Sequence, residues 1–305
     1  MSGIRISRLE KRYGDRTVLH ELDLTVQSGE IFALLGPNGS GKTTLFRILS
    51  TLIAPDGGHA EVGGSDVVRD PSGVRTKIGV VFQSPSLDKK LTVRENLKYG
   101  GALYGLHGEE LRSRIKAASA ALRLDEKLDE IVETLSGGQQ RRAEIAKCLL
   151  ARPEILLLDE PSTGLDPSAR IDLWTVLVRL REEHGMTVVF TSHLMDESAK
   201  ADRVAILNAG RLIACDSPEQ LLQTTGPEIL RVATREEERV AKFLNDECAL
   251  SPQIIDGEVR AATSDAHAIA ARVTTALAPV VLSTTVSKPT LEDVFLFQTG
   301  CRFHE

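Results

Sequence analysis

The 305-residue chain predicts an α/β fold: a mostly parallel core sheet with helices on its faces, a helical insertion, and a small C-terminal α+β domain of ferredoxin-like order. Three observations carry this prediction. The unbroken apolar run Ile31–Leu35 and the buried-type strands Ile155–Leu158 and Thr187–Thr191 have the character of strands covered on both faces, and they alternate with helical patterns. From about Leu91 to Ala151 the apolar period turns helical. Residues 228–286 then read β, α, β, β, α, β.

At the N-terminus, Ile4 and Ile6 alternate with polar neighbours, as do Leu22, Leu24 and Val26, the period-2 pattern of half-buried strands. The run Ile31–Leu35 breaks at Gly36, and a helical pattern opens at Lys42. Ile78–Phe82 reads as a further strand with Gln83 at its end. Thr92 is placed to cap a helix carrying Val93, Leu97 and Leu103, with Glu95 at the capping-box position. Ile115, Ala118 and Leu122 mark a second helix. A third begins after Ser136 and carries Ala143, Ala146, Leu149 and Leu150. A helix around Ile171–Glu183 separates the next two buried strands. After the turn Asn208-Ala209-Gly210 the character changes. Strands at Ile229–Ala233, around Ile254, around Val259 and at Val280–Val286 then alternate with helices at Glu236–Asn245 and Ala266–Ala276.

Apolar residues make up 42% of the chain, enough for a real core. The formal charge of −6, from 43 acidic and 37 basic residues, gives no reason to expect a nucleic-acid partner. Cys148, Cys215, Cys248 and Cys301 are scattered without metal-site or disulfide spacing, so free thiols are expected. No stretch approaches the roughly 20 apolar residues of a membrane span, and Met-Ser-Gly-Ile-Arg lacks the apolar run of a signal peptide. A protein soluble by itself is the expectation, with any membrane part supplied by other chains.

Gly36-Pro37-Asn38-Gly39-Ser40-Gly41-Lys42-Thr43 matches G-x-x-x-x-G-K-[ST] between a predicted strand and a predicted helix. Glycines let backbone N–H groups turn onto phosphates, and the helix presents its positive N-terminus to the same anion. Lys42 is placed to reach the β- and γ-phosphates, and the Thr43 hydroxyl is a natural Mg²⁺ ligand. Ile155–Leu158 ends in Asp159, a carboxylate at the mouth of a parallel strand, where ligands bind. Asp159 suits Mg²⁺ through water, and Glu160 is positioned to polarise an attacking water. Taken alone, an Asp-Glu pair after a strand equally caps a helix.

Leu135-Ser136-Gly137-Gly138-Gln139, between the phosphate loop and Asp159, resembles the signature of the ATP-binding cassette ATPases. Taken alone, Ser-Gly-Gly is also an ordinary loop and helix cap; between these two motifs the match is specific. Other landmarks fall in the family's order. Gln83 stands where the family has its Q-loop glutamine, near Mg²⁺ and the attacking water. Gly164-Leu165-Asp166 resembles the D-loop, His193 the switch histidine that contacts the γ-phosphate, and Tyr13 the aromatic that stacks on adenine. Read singly, Tyr13 is as well a turn aromatic, His193 a helix cap and Gln83 a surface amide. The similarity covers roughly residues 3–225. Lys288-Pro289-Thr290-Leu291-Glu292-Asp293-Val294-Phe295-Leu296 further resembles the C-terminal element of type-two exporter cassettes, the group of the daunorubicin-resistance ATPases. Leu291, Val294 and Phe295 also give that helix an apolar docking stripe. The pattern is departed from after Phe297, where Gln298-Thr299-Gly300 runs into a short tail.

The resemblance implies a P-loop NTPase cassette with a mostly parallel core sheet, an antiparallel β subdomain and a helical insertion. It places a nucleotide-binding domain at 1–225 with its helical subdomain at about 84–151, and the pattern read above leaves a small α+β domain at 226–305 ending in a docking helix. It further implies ATP and Mg²⁺ as ligands. Tyr13, Gly36 to Thr43, Thr44, Ser136, Gly137, Gly138, Gln139 and Asp166 would contact nucleotide. Thr43, Gln83 and Asp159 would hold the metal, and Glu160, His193 and Gln83 would carry hydrolysis. One phosphate loop and one signature per chain imply a head-to-tail C2 dimer with two ATP molecules between copies, Ser136 and Gly138 reaching the γ-phosphate in trans. The implied partner is an integral-membrane permease at the inner face of the cell membrane, touching Phe82 to Leu91, with export the preferred direction and cargo chosen by the permease. Two other readings stay open. One is a soluble cassette ATPase serving the ribosome, DNA or iron–sulfur assembly, although the chain lacks a second cassette and long coiled coils. The other is a regulatory cassette whose 226–305 appendage senses a ligand.

Overall fold

A computed structural model describes residues 2–255, 257–300 and 303, and the chain forms two compact units. The first comprises Met1–Leu194 with Ala201–Leu212, the second Met195–Lys200 with Ile213–Glu305.

In the first unit, β1 (Ser2–Tyr13) and β2 (Arg16–Gln27) pair antiparallel, and the alternating Leu22, Leu24 and Val26 point inward as their spacing requires. β3 (Ile31–Leu35), buried at all five positions, leads into α1 (Lys42–Leu49). β4 (Gly57–Val62) and β5 (Ser65–Asp66) complete an antiparallel sheet in the order β2-β1-β4-β5. α2 (Pro71–Lys77) precedes β6 (Ile78–Val81), so Phe82 already belongs to the following loop. The helical insertion consists of α3 (Val93–Leu103), α4 (Gly108–Ala121) and α5 (Gly137–Leu149).

The capping box expected at Thr92 forms: its hydroxyl accepts from Glu95 N at 3.2 Å, and Glu95 Oε2 accepts from Thr92 N at 2.8 Å. Leu103, expected on the buried stripe, is instead 85% exposed. Ten residues past Val93, it has rotated off the face shared by Val93 and Leu97, which is continued by the buried Gly100 and Gly101.

β7 (Ile155–Leu158), α6 (Pro167–His184) and β8 (Thr187–Ser192) follow. α6 starts at Asp166, whose side chain accepts from Ala169 N, continues with Pro167, and stops at Gly185 with φ 63°. Its Trp174 packs edge-on against Phe190 of β8, with ring centroids 5.2 Å apart. The short α7 (Met195–Ser198) belongs to the second unit. β9 (Arg203–Asn208) and β10 (Arg211–Asp216) complete a six-stranded sheet in the order β10-β9-β3-β8-β7-β6. β3, β6, β7, β8 and β9 are mutually parallel along this order. Register places Leu35 beside Ser192, Phe190 beside Leu158, and Leu158 beside Val81. The segments leaving β3, β6, β7 and β8 therefore emerge from one edge, where α/β sheets bind ligands.

In the second unit, α8 (Pro218–Thr225) precedes β11 (Glu228–Thr234), α9 (Glu237–Cys248), β12 (Gln253–Ile255), β13 (Glu258–Thr263), α10 (Ala266–Ala276) and β14 (Val281–Ser287). The strands pair antiparallel in the order β12-β13-β11-β14, the ferredoxin-like arrangement expected from the sequence. Val240 and Leu244 of α9 and Ile269 and Val273 of α10 close a core with Leu230, Val232, Val259 and Ala261. α11 (Leu291–Thr299) buries Leu291, Val294 and Phe295, the predicted stripe. Among the described residues no helix is long and apolar enough to cross a membrane. Cys148, Cys215 and Cys248 are free of disulfides, as expected; Cys301 lies outside the described residues.

Candidate functional site

The strand ends converge on a cleft of about 530 Å³. The phosphate loop supplies Asn38, Gly39, Gly41, Lys42, Thr43 and Thr44 to its lining; Gln83, Glu160 and His193 arrive from the ends of β6, β7 and β8. Arg16, Val18 and Thr163 also line it and are not singled out by the sequence motifs.

The loop is shaped for a phosphate chain. α1 begins after Gly41, at φ 101°, with no side chain capping its first N–H groups, which leaves them for an anion. Only glycine fits at position 36, since a Cβ there would lie 2.5 Å from Leu207 O and 2.6 Å from Ser40 Oγ. Ser40 Oγ is buried without a hydrogen-bond partner, an orphan donor within the loop itself. Lys42 Nζ donates to Gly36 O at 2.7 Å and Pro37 O at 2.9 Å. Burial pulls the Lys42 ammonium below its ordinary pKa, while the carboxylates of Glu160 and Asp159 act to keep it charged. A buried cation facing two carboxylates, with an orphan hydroxyl beside it, fits a bound polyphosphate.

One carboxylate oxygen is the focus of the opposite wall. Glu160 Oε2 accepts from Thr163 Oγ1 at 3.0 Å and from Gln83 Nε2 at 3.4 Å, and lies 3.5 Å from His193 Nδ1. Glu160 sits in the left-handed region at φ 47°, a conformation unusual for a side chain of this kind. Its N–H donates to Thr191 Oγ1 at 2.8 Å. The same hydroxyl donates to Asp159 Oδ1 at 2.7 Å, so Thr191 fixes both acidic residues at once. Thr191 has the signal that identifies Asp159, a polar residue near the carboxyl end of an apolar strand. Asp159 is 2% exposed and stands behind the cleft lining, a placement suited to a metal reached through water. Thr43, Gln83 and Asp159 together form an oxygen-rich donor set with a single carboxylate, which fits a Mg²⁺ that keeps waters and shares phosphate oxygens.

The remaining predicted residues lie elsewhere. Tyr13 is half exposed at the end of β1, opposite Arg16 in register, with Lys11 Nζ 5.6 Å from its ring centre; Arg16, not Tyr13, lines the cleft. Ser136, Gly137, Gly138 and Gln139 open α5 outside the cleft of their own chain. Ser136 Oγ accepts from Gln139 N at 3.3 Å, and Gln139 Oε1 accepts from Ser136 N at 3.0 Å. This capping box uses one lone pair of Ser136 Oγ and leaves its proton to donate outward. Gly138 and the α6 start pack together: a Cβ at Gly138 would lie 2.7 Å from Ala169 Cβ, so the signature turn and the Asp166 cap form one surface.

Residues 19–163 match the family model described as ABC transporter. The chain is 37% identical to the daunorubicin resistance ATP-binding protein DrrA2 of Streptomyces coeruleorubidus, over 98% of this chain and 95% of that protein. It is 40% identical to the Nod factor export ATP-binding protein I of Sinorhizobium fredii, over 75% of this chain and 67% of that protein. Among solved structures, cbiO1 of Clostridium perfringens, part of the ABC transporter complex cbiONQ, superposes with a TM-score of 0.68 at 27% identity, covering 81% of this chain and 96% of that one. The ATP-binding cassette MJ0796, solved as a dimer bound to ADP and phosphate, gives 0.63 at 28% identity, covering 70% of this chain and 98% of that one.

Proposed function

The chain belongs to the ATP-binding cassette transporter family, and from that premise we propose that it hydrolyses ATP to power export through a separate membrane permease. The convergence of Gln83, Thr163 and His193 on Glu160 Oε2 opposite the phosphate loop carries the site reading. Relatives named for daunorubicin resistance and Nod factor export support the direction.

In this mechanism the loop Gly36 to Thr43 and the start of α1 bind the phosphates, with Thr44 completing the first turn. Lys42 brings positive charge to the β- and γ-phosphate oxygens. Glu160 takes a proton from water as the water oxygen bonds to the γ-phosphorus. The bond from that phosphorus to the bridging oxygen breaks, leaving ADP and phosphate. Gln83 orients the water, and His193 contacts the γ-phosphate side. Thr43, Gln83 and Asp159 would hold Mg²⁺, which would neutralise charge on the phosphates. Tyr13 stacks on adenine, with Arg16 beside it.

A second copy completes the site: its Ser136, Gly137, Gly138 and Gln139 close on the γ-phosphate, with its Asp166 at the same face. Residues 1–225 serve nucleotide and permease, and 226–305 form an appended domain. The exposed Tyr99, Leu103 and Tyr104 at the end of α3 offer an apolar patch, and the loop from Phe82 to Leu91 a largely polar one, for the permease at the inner membrane surface.

Glu160→Gln tests the reading. Hydrolysis is expected to fall about 100-fold or more while ATP still binds, and ATP-dependent dimers should accumulate in light scattering. Unchanged turnover would remove Glu160 from its role.

A further inference from the structure

Around Gln83, from Val80 to Ser86, the chain is held by α5, while Asn96 of α3 holds the same loop further on at Asp88. Four side chains of α5, at Arg141, Glu144, Lys147 and Cys148, lie along one face at helical spacing and bond the backbone of β6 and its exit loop. Cys148 Sγ donates to Val80 O at 3.2 Å, and Arg141 Nη1 donates to Phe82 O at 3.0 Å. Glu144 Oε1 accepts from Ser86 N at 2.6 Å, and Lys147 Nζ donates to Ser86 O at 2.9 Å. Arg141 and Glu144 also pair with each other at 2.8 Å, and they are only 8% and 5% exposed. The loop is thus pinned by its main chain on both sides of Gln83, while the side chains of Gln83, Ser84 and Pro85 stay exposed.

A buried ion pair is a poor device for stability alone, because desolvating two charges offsets most of their attraction and a packed apolar pair does as well. What charge supplies here is direction, since each partner also bonds a defined backbone atom of the same loop, Phe82 O and Ser86 N. Ser136 starts the same helix five residues before Arg141, about 7.5 Å along its axis. A helix is stiff over that distance, so movement at the signature end arrives at the loop with little loss.

We propose that Arg141, Glu144 and Lys147 are positioning residues for hydrolysis, a strut that sets the Gln83 amide against Glu160 when the signature helix engages nucleotide on a second copy. This rests on the composite-site reading above. The strut acts on the chemical step through Gln83 and not on capture of ATP, which the phosphate loop performs without it.

The test is steady-state ATP hydrolysis by the full-length chain, with kcat expressed per nucleotide site titrated with a fluorescent ATP analogue. Glu144→Gln keeps an oxygen for Ser86 N but removes the charge facing Arg141; kcat is expected to fall about 10- to 100-fold, with KM for ATP within about twofold of the parent. Lys147→Ala, at a partly exposed position that leaves the buried pair intact, is expected to lose about 3- to 10-fold in kcat with the same KM. Arg141→Lys should recover part of what Arg141→Met loses. Folded variants with parental kcat per site would overturn the proposal, as would a rise in KM at constant kcat. Glu160→Gln is run alongside. If it abolishes turnover while the strut variants keep the parental kcat, the strut fails and the hydrolytic reading stands; if it retains turnover, the hydrolytic reading itself fails.

Discussion

Lys42 is buried and Cys148 partly buried, with opposite consequences for their protons. Burial pulls Lys42 below its ordinary pKa, and only Glu160 and Asp159 oppose the shift, so added phosphate charge would reinforce the cation. Burial pushes the Cys148 thiol from 9.0 up to about 12, which keeps it a proton donor to Val80 O. At pH 8 the thiolate fraction of such a group is about one in ten thousand. Iodoacetamide should therefore leave Cys148 unmodified in the native chain at pH 8 and label it in urea, read by mass spectrometry. Because the folded pKa lies above the unfolded one, the folded chain keeps a proton that the unfolded chain loses. The contribution of Cys148 is complete below about pH 9 and is lost as pH climbs toward 12. Denaturant midpoints of parent and Cys148→Ala should therefore converge across that window.

Among the elements, α11 is held by the most completely enclosed charge in the second unit. Asp293 is fully buried, and both its oxygens are used. Arg231 Nη2 donates to Oδ1 at 3.1 Å and Oδ2 at 3.2 Å, Arg260 Nη1 lies 3.6 Å away, and Oδ2 accepts from Thr290 N and Oγ1. Arg231 and Arg260 face each other across β11 and β13, on the side opposite the Leu230, Val232, Val259 and Ala261 core. The helix therefore docks on the second face of the sheet, with its acidic cap as the key. Asp293→Ala strands two arginines, and the second unit is expected to lose about 3–5 kcal/mol. Urea unfolding followed by limited proteolysis of residues 228–299 measures this; protection equal to the parent's would show that the apolar stripe alone holds α11.

At the scale of the whole molecule, the proposed dimer has each chain supply half of two sites. The phosphate loop and Glu160 line the cleft of their own chain, whereas Ser136 opens a helix outside it. Chains carrying Lys42→Ala and chains carrying Ser136→Arg should each be inactive alone. Mixed, the two should regain roughly a quarter of parental hydrolysis, because half the random dimers hold one intact site of two. Turnover of the mixture as a function of ratio is the measurement, and activity that never exceeds the sum of the parts would refute the trans arrangement.

Features written in adjacent residues were legible in the sequence. The glycine pattern at Gly36 to Thr43, the carboxylates after Leu158, and the capping residues Thr92 with Glu95 act within a turn or two of backbone, so spacing alone specifies them. The ferredoxin-like order was legible for the same reason, since burial period and strand length were strong there. β4 was not, because Gly57 to Val62 offers only Ala60 and Val62 to the core and becomes a strand by pairing with β1. α8 was missed although Ser217 and Pro218 carry start signals, because eight residues with one buried leucine show little period. What only the tertiary structure decided is the geometry around Glu160. Gln83 lies 77 residues before it in the chain, yet their side chains meet at 3.4 Å, and Thr191 fixes Asp159 and Glu160 from 31 or more residues away. Local sequence determines which groups stand at the strand ends. The parallel register of β3, β6, β7 and β8 determines that those ends share one edge, because hydrogen-bonded strand order is set by packing across the whole sheet.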